Sequence, residues 1–205
     1  MSDASYTLYD SRLSGNAWKV RLLLSHLGLP FRRVTFNLPE GKTRTPEFRA
    51  KNPVGKVPVL ELSDGTALFE SNAILAYLAR GTRYLPDEPV AQATVLQWMF
   101  FEQSEALKNL APARFHVSIS KRAKEMAADV AKWHEGGYKA LDIIDARLQA
   151  SPFLAGDRYT IADISNFPYV SMAHEGAFDM TKYPHIAAWL DRVRSQPGYV
   201  PLIQD

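Results

Sequence analysis

The run Glu70-Ser71-Asn72-Ala73-Ile74 places an acid and a hydroxyl where a strand-like apolar stretch passes into a helix-like one. The first N–H groups of a helix lack backbone partners and carry a positive partial charge, so such a junction suits a bound carboxylate. Ser71 can also cap the helix that carries Ile74, Leu75 and Leu78, and the two roles use different donors of one turn. A second constellation, Thr160-Ile161-Ala162-Asp163, has a hydroxyl followed three residues later by an acid before an apolar run. That is a capping box, which makes Asp163 a structural residue and not a catalytic one.

Other chemistries have little to stand on. The 205 residues include no cysteine, which removes a disulfide framework, a thiolate metal site and a cysteine nucleophile together. The five histidines, His26, His116, His134, His174 and His185, show no ligand spacing, so no metal is expected. Gly41-Lys42-Thr43 would need a glycine at position 36 to read as a phosphate-binding loop, and Phe36 stands there. No G-x-S-x-G or H-E-x-x-H is present. Net charge is +2, and the densest basic stretch, Lys121, Arg122 and Lys124, is interleaved with acids and alanines like a solvated helix face. Nucleic acid is therefore not an expected partner. A polar start leading into a strand, and no apolar run near the ~20 residues of a membrane span, point to a soluble cytoplasmic protein.

These residues need elements to position them. Tyr6-Thr7-Leu8-Tyr9 reads as a strand, and Val20, Leu23, Leu24 and Leu27 mark a helix stopped by Gly28 and Pro30. A second strand is expected over 31–38, with a weak helical piece around 46–50. Val57 to Leu62 and Thr66 to Phe69 flank Ser63-Asp64-Gly65, a hairpin signal, since Asp and Gly tolerate the positive φ of a tight turn. A helix between the first two strands implies a parallel pair with a right-handed crossover. Residues 81–90 read as a linker rich in Gly, Pro and charge. Beyond them the pattern is helical, with Val95, Trp98, Met99 and Glu102, then Leu141, Ile144 and Leu148, then Ile186, Trp189, Leu190 and Val193. The expected architecture is an α/β domain over 1–80 joined to an all-α domain over 91–205.

Three segments carry a resemblance. Asn52-Pro53-Val54-Gly55-Lys56-Val57-Pro58 is similar to the "NPxGKVP" segment of cytosolic glutathione transferases, and Glu70 to Ile74 resembles their "ESxAI" segment. Leu154 to Asp163 resembles the "LxGxxxTxAD" signature of their second domain. Together these cover nearly the whole chain, in order. The resemblance implies a thioredoxin-like glutathione-binding domain followed by a helical domain, with glutathione as co-substrate and a homodimer as the assembly.

It also implies roles. The Val57-Pro58 bond would be cis, leaving the Val57 backbone to pair with the cysteinyl backbone of glutathione, a strand-like mode of recognition. Ser71 would hold the γ-glutamyl carboxylate, with Glu70 facing its ammonium. Lys56 would meet the glycyl carboxylate, helped by Lys42 or Thr43, while Asn72 replaces a basic residue of many relatives. The segment Leu13-Ser14-Gly15-Asn16-Ala17-Trp18-Lys19-Val20 resembles serine-type, theta- or nu-like bacterial members, so Ser14 would donate to the thiolate with Asn16 as a secondary amide donor. Ser11 is the alternative hydroxyl, and Tyr9 belongs to the strand. A small hydrophobic electrophile would lie among Leu13, Phe101, Arg114 and Phe115. Conjugation, reduction of disulfides or peroxides with glutathione supplying both sulfurs, and a non-catalytic binding module all remain open.

Overall fold

The computed structural model describes residues 6–37 and 41–203, so Leu38, within the expected second strand, lies outside the described residues. The chain divides into two compact units, one holding residues up to Arg80 together with the tail from Gln196, the other Gly81–Ser195.

The first unit is built on a mixed sheet in the order β2-β1-β3-β4. Strand β1 (Tyr6–Asp10) pairs in parallel with β2 (Phe31–Thr35) and antiparallel with β3 (Val59–Leu62), which pairs antiparallel with β4 (Ala67–Phe69). Helix α1 (Gly15–His26) makes the crossover between the parallel strands. It ends where the repeating pattern expects: Gly28 adopts φ +63°, and Leu29 N–H reaches back to the Leu24 carbonyl at 3.0 Å. The hairpin turn also forms as expected, with Gly65 at φ +87° and Asp64 accepting from Thr66 N–H at 2.9 Å. Helices α2 (Pro46–Lys51) and α3 (Ser71–Ala79) complete the unit.

The second unit is helical: α4 (Pro89–Phe101), α5 (Lys108–Arg114), α6 (Ala127–Ala150), α7 (Ile161–Ser171) and α8 (Pro184–Arg194). A π-helical turn, Glu102–Leu107, joins α4 to α5, and another, Phe115–Ile119, extends α5. The expected apolar positions Val95, Met99, Leu141, Ile144, Leu148, Ile186, Trp189 and Val193 are buried here. Asp163 is buried within its capping box, accepting from the backbone N–H groups of Leu154 (2.9 Å) and Thr160 (3.0 Å) and from the Trp189 indole (2.9 Å). Burial pushes its carboxyl up to about 6 against those donors.

Three segments add detail to the pattern read from the sequence. The stretch Lys121-Arg122-Lys124 is not a helix face but an exposed turn ahead of α6, begun by Lys121 at φ +54°. The expected linker is anchored: Tyr84 is buried, and its carbonyl accepts from Ile161 N–H at 3.0 Å. The chain end, expected in the helical domain, groups with the first unit, because α1 side chains bind its backbone carbonyls.

Candidate functional site

Strand β1 delivers the chain to a tight turn before α1. Asp10 is fully buried, between the guanidinium groups of Arg21 (3.1 Å) and Arg33 (2.6 Å), and its other oxygen accepts from Ser11 N–H. Burial raises the Asp10 carboxyl from its ordinary value while the two arginines oppose the rise. The same burial lowers Arg21 to about 10, with Asp10 opposing. Ser14 N–H donates to the Ser11 carbonyl at 3.0 Å, closing the turn.

Ser14 is the N-cap of α1, its Oγ accepting from Ala17 N–H at 3.2 Å. A hydroxyl has one donor and two acceptor lone pairs, so capping leaves the O–H of Ser14 as a donor, and it has no acceptor among the described residues. Ser11 is buried, only 4% exposed. The Tyr9 hydroxyl donates to Glu61 at 2.6 Å, and its ring packs on Phe36 and Phe48, in keeping with a strand residue.

The start of α3 meets α1 at this place. Ser71 Oγ donates to Asn16 Oδ1 and accepts from Lys19 Nζ, both at 3.4 Å. Ser71 and Lys19 are buried. Just before the helix, Glu70 sits at φ +67° and ψ +109°, a conformation that disfavours any residue with a Cβ. The structure thus brings together Ser14, Asn16 and Ser71 from segments more than fifty residues apart, with Glu70 exposed at the rim.

The loop before β3 is shaped by Asn52. Its Nδ2 donates to the Lys56 carbonyl at 2.7 Å, and its Oδ1 accepts from Val54 N–H at 3.0 Å. Gly55, at φ +68°, lies so close to the Thr43 carbonyl that an added Cβ would stand 2.9 Å from it. Beyond this loop the Val57-Pro58 bond is cis. Val57 precedes β3, and its own N–H and C=O make no backbone hydrogen bond among the described residues. Lys56 is exposed, and Thr43 is buried, 7% exposed.

The residues expected to face an electrophile are each placed within their own unit. Leu13 is 43% exposed in the first. In the second, Phe101 meets Trp98 edge-to-face at 5.2 Å, and Phe115 is exposed beside His116, which stacks on Trp133. Arg114 is buried, with its Nε 2.8 Å from Glu175, so its charge ties α5 to the turn Ala173–Gly176. Among the described residues no group of three or more histidines and acids converges on a metal site, and no helix is long and apolar enough to cross a membrane.

Sequence reasoning missed Lys19, Asn52, Asp10 and Arg21. Asn52 lay inside a recognised motif and could have been read as its turn former. The buried cations had no signal, since a helical period places neither inside.

Family models describe matching halves: "Glutathione S-transferase, N-terminal domain" fits residues 13–80 and "Glutathione S-transferase, C-terminal domain" fits 94–197. A solved glutathione S-transferase from Pseudomonas fluorescens Pf-5 is 46% identical, with a TM-score of 0.96 over 98% of this chain and 100% of that one. Glutathione S-transferase 3 of Zea mays is 32% identical over 96% of this chain and 92% of its own. The disulfide-bond oxidoreductase YfcG of Escherichia coli K12 is 30% identical over 89% and 87%.

Proposed function

Since this chain belongs to the glutathione S-transferase family, we propose that its first unit binds glutathione and that Ser14 activates the thiol for attack on a small hydrophobic electrophile. The observation that carries this is the Ser14 hydroxyl, held at the N-terminus of α1 by its capping bond, with its proton left to donate.

A free thiol with a pKa near 8.5 is only a few per cent ionised at pH 7. One hydroxyl hydrogen bond to the anion, aided by the positive end of α1, would lower it by about one to two units, roughly 1.4–2.7 kcal/mol. The thiolate then attacks the electrophilic carbon, forming the C–S bond as the leaving group departs with its electron pair. Asn16 adds an amide donor at the same turn. The Val57 N–H and C=O pair with the cysteinyl backbone, Ser71 and the α3 N-terminus hold the γ-glutamyl carboxylate, and Glu70 meets its ammonium. Lys19, behind Ser71, supplies the positive charge that Asn72 does not. Lys56 meets the glycyl carboxylate, with Thr43 beside it. Leu13, Phe101, Arg114 and Phe115 flank the electrophile, and a cytoplasmic homodimer is the working form.

Reduction of a disulfide by glutathione is the second reading, favoured by the likeness to the Escherichia coli oxidoreductase and compatible with a chain without cysteine. Here the thiolate attacks a disulfide sulfur, a thiolate leaves, and a second glutathione resolves the mixed disulfide.

The test is the ultraviolet absorbance of bound thiolate against pH in wild type, Ser14→Ala and Ser11→Ala, with turnover of an activated chloroaromatic and of a small dialkyl disulfide. Ser14→Ala should raise the thiol pKa by one to two units and keep glutathione binding. An unchanged thiol pKa would remove Ser14 from the mechanism, and the ratio of the two turnovers separates the two readings.

A further inference from the structure

The tail beyond α8 returns to the first unit and lies along α1. Trp18 Nε1 donates to the Val200 carbonyl at 2.7 Å. Arg21 donates through Nη1 to Pro201 (3.2 Å) and through Nη2 to Leu202 (2.6 Å). Nearer the helix end, His26 Nδ1 is 2.8 Å from the Pro197 carbonyl, and the Tyr199 ring meets Trp18 edge-on at 6.5 Å. Between Arg21, Leu24, Phe31 and Val200 a groove of about 510 Å³ stays open. The tail is therefore held by directed hydrogen bonds more than by close packing.

Arg21 has a second task. Its Nε is 3.1 Å from Asp10, whose carboxylate receives Ser11 N–H, and the Ser11 carbonyl receives Ser14 N–H. The guanidinium meets the Asp10 carboxylate as an ion pair while its two Nη groups donate to the tail carbonyls, so charge on one side and directed bonds on the other fix its place. Two tail carbonyls, those of Pro201 and Leu202, thereby aim the group that sets the turn from Asp10 to Ser14.

We propose that tail residues 197–202 are a positioning element of the thiol-activating turn, acting through Arg21 and Asp10 as positioning residues. None of these residues touches glutathione in the reading above, on which this inference rests. Buried polar groups are directional and costly to leave unmatched, so losing the tail's carbonyls moves Arg21, and Asp10 and the turn follow. Arg33 remains on Asp10 at 2.6 Å, so the buried carboxylate keeps a cation after such a change.

Two variants of the full chain test this, with glutathione and a chloroaromatic as probes. Arg21→Lys keeps a cation beside Asp10 but cannot reach all of its partners at once. Gly198→Val acts at an exposed position, φ +82°, where an added Cβ would lie 3.1 Å from the Ser25 carbonyl, and so lifts the tail without touching the α1 core. Arg21→Lys should raise the pKa of the bound thiol by about one unit, a roughly tenfold loss of thiolate at pH 6, with KM for glutathione within about twofold. Gly198→Val should cut thiolate about threefold in the same direction. Should Arg21→Lys fail to fold, Gly198→Val decides alone. A thiol pKa unmoved in the folded variants, including one unmoved beside a lowered melting temperature, overturns the proposal. Ser14→Ala, run alongside, judges the Ser14 role separately, so either idea can fail without the other.

Discussion

Among the helices that begin with a hydroxyl cap, α7 and α1 treat their N-termini in opposite ways. At α7, Thr160 caps and Asp163 closes the box, with N–H groups from Leu154, Thr160 and Trp189 all directed at one buried carboxylate. At α1, Ser14 caps, but the first turn carries no acid: Gly15, Asn16 and Ala17 follow. No carboxylate there competes with an incoming anion for the helix end. The closed terminus stabilises a core; the open one leaves its first N–H groups to the binding role proposed for it. What separates them is a single carboxylate at the third helical position.

The largest effect should come from the closed end. Asp163→Asn replaces two acceptor oxygens with one and turns an NH2 toward fixed donors, so it should lower unfolding stability by about 3 kcal/mol or more in a urea titration. A loss below about 1 kcal/mol would mean that the box does not hold this part of the core together. At the open end Ser14→Ala should reduce kcat/KM for glutathione conjugation by about tenfold to a hundredfold, from the thiolate fraction, yet destabilise by only about 1 kcal/mol.

The pH dependence sharpens the same contrast. Asp163 titrates near 6 in the folded chain and near 4 when unfolded. Between those values the folded state binds the extra proton, so this group's stabilisation is complete below about pH 4 and is lost as pH rises through 6. The wild type should therefore lose about 3 kcal/mol relative to Asp163→Asn across that window, seen as a difference between their stability–pH curves. Ser14→Ala should follow the wild-type curve. The smallest expected change is at Lys19→Met, which should raise KM for glutathione severalfold with little shift in thiol pKa, since a buried charge can be exchanged for an apolar chain of similar volume without unfolding. A raised thiol pKa there would place Lys19 at the sulfur instead.

Much of the site was legible because its parts are local. Gly28, Asp64-Gly65 and Thr160 with Asp163 each announce a backbone requirement within a few residues and take the expected form; Ser71 does not cap α3 as expected, because Glu70 holds the N-cap position and the Ser71 hydroxyl is drawn to Asn16 and Lys19 of α1. The ion pair of Arg114 with Glu175 had no such local signal, since it depends on a segment sixty-one positions away. Lys19 and Arg21 were invisible for a related reason: a helical period divides residues into an inner and an outer face, and α1 has hardly any outer face. Sheet, α3 and returning tail surround it, so both cations are buried.

By itself the sequence determined the two kinds of domain, their order, the family, the helix stop at Gly28 and the capping box at Thr160, because these depend on periodicity and on short-range hydrogen bonding. Tertiary structure alone decided which cap stays open, which cations are drawn inside, and that the last residues return to the first unit. Those outcomes rest on contacts between segments up to 182 positions apart, such as Trp18 with Val200, and no local pattern encodes them.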